Sequence, residues 1–234
     1  MGRPTVGRRV ALQGDVRAFG ASWGSPEGAP ARRREGRSRS AGGLEKGGLV
    51  EALGRAGLDS GQAAWHSDEM RLGLRGQSRK VLAPKGVKVV QRLQLRYEWS
   101  YLVLAVSPLS GEIRWEWIER MRKEQLRPVL EGWALEAVVW DRAPSHRANT
   151  LEELSTTRVF LPSYSPELNP AERIFEEVRR RAEGEVYEDL EAKRREAESY
   201  LEELRDDPER VKSLCGWRWL TASLESVPTH AANQ

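Results

Sequence analysis

Three acids along this chain have the type and placement to do chemistry together: Asp68, Asp141 and Glu172. Three carboxylates in one pocket repel one another and raise each other's pKa unless a cation stands among them. Oxygen-only ligands in that number suit Mg2+ or Mn2+, which keep waters and take phosphate oxygens as further ligands. Two such ions, roughly 3.5–4 Å apart, activate a water or a 3′-hydroxyl and stabilise the leaving oxygen of a phosphoryl displacement. Each acid also has a plainer reading. Asp68 is followed by Glu69, and the two could be a solvated strand end. Strand alternation groups Asp68 with His66, Met70, Leu72 and Leu74, and Glu69 with Arg71, which favours Asp68 as the inward ligand. Asp141, followed by Arg142-Ala143-Pro144, could start a turn. Asn169-Pro170-Ala171-Glu172 forms a capping box, with Asn at N-cap, Pro at N1 and Glu at N3. At about 100° per residue Glu172 falls on the edge of the stripe Ala171, Ile174, Phe175 and Val178, beside Arg179. Capping and metal binding both stay open for it.

The elements that must position these acids follow from periodicity. Trp65 to Leu74 predicts a strand, Tyr97 to Val106 a second, and Glu112 to Ile118 a third after the turn Ser107–Gly111. Glu119 to Leu130 predicts a helix, and the apolar run Ala137–Trp140 a buried strand that ends on Asp141. Thr150 to Leu154 falls in a short helix and Arg158 to Leu161 in a fifth strand. Asn169-Pro170 opens a helix to about Glu183, followed by helices over Tyr187–Arg205 and Pro208–Leu214. Three strands, then helix, strand, helix, strand, helix, imply an α/β fold with a mixed five-stranded sheet and flanking helices. That order resembles an RNase H-like domain. The expected division is 1–60, 61–185 as the sheet domain, and 186–234 as a helical C-terminal extension and tail.

Residues 1–60 hold 13 of the 21 glycines and lack a sustained period of 2 or 3.6. Arg32, Arg33, Arg34, Arg37 and Arg39 sit among Gly and Ser, so the segment is either a basic arm for nucleic acid or a disordered or truncated start. A short helix over Leu44–Leu58 competes with its glycines. One cysteine excludes an intrachain disulfide framework. No apolar run is long enough to span a membrane, and no apolar h-region follows the basic N-terminus, so a cytoplasmic, nucleoid-associated location is expected.

The formal charge of +3 averages over unlike segments. Residues 71–96 carry eight bases and no acid, whereas 97–234 carry a net −8. Arg71, Arg75, Arg79, Lys80, Lys85, Lys88, Arg92 and Arg96 follow directly on Asp68 and could track the phosphates of a polyanion; a solvated hairpin surface is the alternative. The tryptophans Trp99, Trp115, Trp117, Trp133 and Trp140 fit sheet packing better than base stacking. The helix over 187–205, richer in acids than bases, fits a solvated face or an oligomer contact.

Three stretches carry a family resemblance. Ser67-Asp68-Glu69-Met70-Arg71-Leu72-Gly73-Leu74 looks like the first motif of DDE transposases, and Val138-Val139-Trp140-Asp141-Arg142-Ala143-Pro144-Ser145-His146 like the second. The run Leu161-Pro162-Ser163-Tyr164-Ser165-Pro166-Glu167-Leu168-Asn169-Pro170-Ala171-Glu172-Arg173 closely resembles the third, and the order is the family's. Over roughly 66–220 the chain resembles the catalytic domain of bacterial insertion-sequence transposases of the mariner superfamily. The resemblance implies two Mg2+ or Mn2+ ions on Asp68, Asp141 and Glu172. It implies hydrolysis at transposon ends and strand transfer into target DNA. The partners implied are double-stranded DNA, as terminal inverted repeats and target, and potentially a second copy of the chain. His146 matches the family histidine, open to a contact with the scissile phosphate or to a structural hydrogen bond. Tyr164 and Asn169 are expected to shape the turn and cap the helix.

Three departures stand beside it. Arg142 occupies a place where the family commonly has Asn, and the 30 residues between Asp141 and Glu172 are fewer than is common. Residues 1–60 show no helix-turn-helix, which points to a truncated or frame-disrupted copy whose isolated chain is inactive. Two alternatives follow: a non-catalytic DNA-binding remnant that competes with intact transposase, and another RNase H-like nuclease.

Overall fold

The computed structural model describes residues 10–12, 48–58, 64–76, 84–91, 94–141, 143, 146, 154–162 and 166–227. Its centre is β2 (Ala64–Gly73). Antiparallel to it runs β4 (Trp99–Val106), with Asp68 opposite Leu104, and antiparallel to β4 runs β5 (Ile113–Ile118). On the other edge β6 (Ala137–Trp140) lies parallel to β2, and β7 (Thr157–Phe160) parallel to β6. The sheet order is β5-β4-β2-β6-β7. A separate two-stranded ladder joins β1 (Val10–Leu12) to β3 (Val89–Gln91).

The sequence pattern explains these placements. Four consecutive apolar side chains make β6 a strand covered on both faces, and all four are buried. β6 pairs with β2 only from Ala64 to His66, so β2 runs on past the end of its parallel neighbour. Asp68 sits just beyond that point, where a strand end and a long central strand meet.

Helices cover both faces. Leu126 and Val129 of α2 (Lys123–Trp133) pack on Val103 and Ile118 on one side. On the other, α3 (Ala171–Ala182), α4 (Leu190–Arg205) and α5 (Pro208–Cys215) close over Met70, Leu72, Leu102 and Leu104. A neighbouring cluster joins Leu49 and Leu53 of α1 (Leu49–Arg55) to Val139, Val159 and Leu168, and to Leu220 and Leu224 of α6 (Arg218–Glu225).

The short helix expected over Leu44–Leu58 forms in part as α1, which buries Leu49 and Leu53 in one cluster with Val139 of β6 and Val159 of β7, because leucines one turn apart face one way despite the flanking glycines; 44–47 lie outside the described residues. Ala197, Tyr200, Leu201 and Leu204 of α4 belong to the same core as β2 and β4, while Glu191, Arg195, Glu202 and Glu203 on its other side are exposed. Gly111, at φ 77°, lies so close to the start of α5 that a Cβ there would stand 2.2 Å from the Pro208 carbonyl oxygen. The expected helix over 119–130 begins later, at Lys123, because Arg122 is extended and the Gln125 side chain takes the Arg120 N–H at 2.6 Å. Leu154 is in a bend rather than a helix, and 150–153 lie outside the described residues. The helix α6 has no counterpart in the sequence reading.

Leu53 is 1% exposed. Leu53→Ala should therefore cost about 2–5 kcal/mol in urea unfolding, the range for a buried leucine. A change within about 0.5 kcal/mol, as on a free surface, would show that α1 is not docked.

Candidate active site

Asp68 lies on the face of β2 that carries Met70 and Leu72, as alternation predicts. Its Oδ1 accepts the Glu69 backbone N–H at 2.8 Å, and its Oδ2 accepts the Asn169 amide at 3.3 Å. Among the described residues no base stands against it. His66, two residues earlier, is fully buried and its pKa is pushed down to about 3 by that burial, so it brings no positive charge. Burial raises the Asp68 carboxyl to about 8, helped by the negative charges of Glu69, Glu172 and Asp141. The three expected acids thus share one electrostatic neighbourhood.

Asp141 follows the last residue of β6 and is half exposed. Its Oδ1 accepts the Ala143 N–H at 2.9 Å and the His146 Nδ1–H at 2.5 Å. The hydrogen bond from His146 holds its pKa below the usual carboxylate value, against the opposing effect of burial.

Glu172 stands in the first turn of α3 and forms an ion pair with Arg179 at 3.6 Å. The expected capping box does not form. Asn169 Oδ1 does accept the Ala171 N–H at 3.2 Å, but Pro170 occupies the cap position and Glu172 turns to Arg179 instead of back along the chain. Asn169 also donates to the Ser67 carbonyl at 3.0 Å. It thus bonds the first N–H of α3 from outside the cap position and ties the helix to β2 besides.

Among the described residues, no three His, Cys, Asp or Glu side chains converge closely enough to ligate a metal. Asp141 is paired with His146 and Glu172 with Arg179. The donor chemistry still fits a hard divalent cation. The acids offer oxygen alone, and the partly buried Asp68 has its charge opposed by no base among the described residues.

Sequence reasoning missed Glu69. It points to the opposite face of β2, is 5% exposed, and its Oε2 accepts from His146 Nε2 at 2.9 Å. His146 is buried and stacks on Trp140, with ring centroids 3.9 Å apart and planes 17° from parallel. Burial alone would lower the His146 pKa. The hydrogen bonds to Asp141 and Glu69 outweigh it and push the pKa up to about 9. The only signal for Glu69 was its position, an acid on each face of one strand.

The basic run is placed in part. Arg71, Arg75, Lys85, Lys88 and Arg96 are exposed, while Arg79, Lys80 and Arg92, like Tyr164, lie outside the described residues. Arg71 lies over the Trp99 ring at 5.7 Å and Arg75 over Tyr97 at 4.8 Å, on the wall of a cleft of about 630 Å³. Arg96 is engaged by Glu98 at 2.6 Å and by the Glu188 carbonyl. The run itself holds no acid, but flanking segments supply them.

A family model described as DDE superfamily endonuclease matches residues 63–192. Among curated proteins no relative matches. Among solved structures the chain is similar to a Mos1 transposase paired-end complex with left transposon end, at 18% identity and TM-score 0.56. That match covers 91% of this chain and 68% of the other. It is similar also to the Mos1 strand transfer complex, at 16% identity and TM-score 0.57 over 93% and 68%. A Mos1 mariner paired-end complex with Mn gives 19% and 0.55 over 92% and 68%. At these identities the likeness shows the fold, which is the RNase H-like one expected from the element order.

The raised Asp68 pKa sets a pH signature. Unfolding lets this acid ionise at its ordinary 3.8 rather than about 8, so above 3.8 the folded state is increasingly disfavoured until about 8. In the presence of a chelator, wild-type stability should fall relative to Asp68→Asn as pH rises through that window and run parallel to it above. Urea midpoints across the window measure this; a constant gap between the two proteins would refute it.

Proposed function

The chain belongs to the DDE superfamily endonucleases, and on that premise we propose that it is the catalytic domain of a mariner-type transposase, of the bacterial insertion-sequence kind. It hydrolyses phosphodiesters at transposon ends, and the freed 3′-hydroxyl then attacks a phosphodiester of target DNA, joining the transposon end to the target phosphate and displacing the target's own 3′-oxygen. Asp68, Asp141 and Glu172 would hold two Mg2+ or Mn2+ ions. Such ions supply an activated water or hydroxyl and stabilise the leaving oxygen.

The observation that supports the reading is Asp68: a partly buried carboxyl in the field of Glu69, Glu172 and Asp141, just beyond the end of the parallel pairing with β6, with no basic partner among the described residues. A carboxyl so placed disfavours its own charge and gains from a cation. Asp141 adds a half-exposed carboxylate whose Oδ1 is already fixed. Glu172 lies on α3, whose start is bound to β2 through Asn169, and its negative charge is felt at Asp68.

The exposed Arg71, Arg75, Lys85 and Lys88 begin three residues beyond Asp68 and suit the phosphates of a duplex led toward it. Arg79, Lys80 and Arg92 extend the run in sequence. Two copies of the chain acting as a homodimer would bring two terminal repeats together; the similar Mos1 structures are described as paired-end complexes. Among the described residues no helix is long and apolar enough to cross a membrane.

On terminal-repeat DNA, wild type should nick only with Mg2+ or Mn2+. Asp68→Ala and Asp141→Ala should each lower the rate by more than about 100-fold, beyond what loss of an indirect metal partner costs. Wild type without cation-dependent cleavage of any terminal repeat would refute the catalytic reading and leave the DNA-binding remnant. Neutralising Arg75, Lys85 and Lys88 together should flatten the dependence of log K on log salt by about 0.9 for each phosphate that no longer meets a basic side chain. An unchanged slope would remove the patch from the DNA path.

A further inference from the structure

Asp141 does not sit freely at the end of β6. Among the described residues two donors reach its carboxylate, the Ala143 N–H at 2.9 Å and His146 Nδ1 at 2.5 Å, and both meet the same oxygen, Oδ1. His146 is fixed in turn. Its backbone N–H donates to the Ala143 carbonyl at 3.0 Å, its ring lies flat on Trp140, and its Nε2 is bound by Glu69 Oε2 at 2.9 Å. Glu69 is 5% exposed at its side chain, and Trp140 is wholly buried.

These bonds run from one face of the central strand to the functional edge. Glu69 and Asp68 are neighbours on β2 but point to opposite faces. Asp68 goes to α3 through Asn169. Glu69 goes the other way, to a histidine wedged against the last residue of β6. Asp141 is therefore supported from the reverse side of the sheet by a carboxylate that never reaches the pocket. With a carboxylate on each ring nitrogen, both nitrogens donate, and the ring can neither flip nor exchange tautomer without losing a bond.

We infer that Glu69 is a positioning residue: acting through His146, it clamps the Asp141 carboxylate by Oδ1 and presents Oδ2 to the divalent cation. The inference rests on the reading of Asp141 as a metal ligand. It gives His146 a structural part in place of a contact with the scissile phosphate. The physical basis is that an outer partner fixes a ligand's orientation and thereby its affinity for the ion.

The test is Mn2+ binding to the full chain without DNA, read by the electron paramagnetic resonance of free Mn2+. Glu69→Gln keeps the shape of the side chain and weakens its hold on the ring. It should raise the Mn2+ dissociation constant about tenfold or more, the effect of losing an outer-shell partner. His146→Asn should do the same, and the double variant should be no worse than the weaker single, because the two act as one unit. Far-UV circular dichroism controls for folding; if Glu69→Gln melts, His146→Asn reports on the same clamp from its other end. Unchanged Mn2+ affinity in the folded variants, while Asp141→Asn abolishes binding, overturns the inference and leaves the metal reading standing. Mn2+ binding that is indifferent to Asp141→Asn overturns both.

Discussion

The geometry of the site depends on one buried amide. Asn169 is 1% exposed, and its side chain makes three bonds: Nδ2 to the Ser67 carbonyl and to Asp68 Oδ2, and Oδ1 from the Ala171 N–H. A strand and a helix more than a hundred residues apart thus share one planar group. Removing it would leave a buried carbonyl and a helix N-terminus unsatisfied together, each at a cost on the order of 1–3 kcal/mol. The far end of the same helix is held by a second buried polar group. Lys193 donates to the Gly73 carbonyl at 2.7 Å and to Glu183 at 3.0 Å. Between these two pins Ile174, Phe175 and Val178 seat α3 along β2. The separation of Glu172 from Asp68 is therefore set by the register of the strand and not by loop flexibility.

Charge is divided unevenly around that frame. On one face of β2, Asp68 is buried among acids and its carboxyl is driven toward the neutral form. On the other, Glu69 and Asp141 close on His146, which gains its proton from them, while Asp141 is held ionised. Asp68 and Asp141 are thus shifted in opposite directions, because His146 stands within hydrogen-bond reach of Asp141 while no base among the described residues stands by Asp68.

Much of the sheet was legible in the sequence. A four-residue apolar run such as Ala137–Trp140 can hardly be anything but a covered strand, and alternation from His66 to Leu74 put Asp68 on the correct face. Helix starts were less legible. The helix before β6 was expected four residues early, because propensity does not register that the Gln125 side chain satisfies the Arg120 N–H. The capping box at Asn169 had the right residues and the wrong outcome. Its glutamate found Arg179, and its asparagine had a tertiary task as well. α1 was obscured by glycines whose cost in propensity is smaller than the gain from burying Leu49 and Leu53.

The sequence by itself determined the succession of strands along the chain and the basic run, because these rest on local periodicity and composition. It also carried the family, since Leu161–Arg173 and the stretch around Asp141 are read residue by residue. Tertiary structure alone decided the partners: Glu69 with His146, Asn169 with Ser67, Arg96 with Glu98 and Glu188, and α4 with the central sheet. The physical reason is that a polar side chain's partner is chosen by what lies within about 3 Å of it after packing. Packing brings together residues whose separation along the chain carries no information about their distance in space.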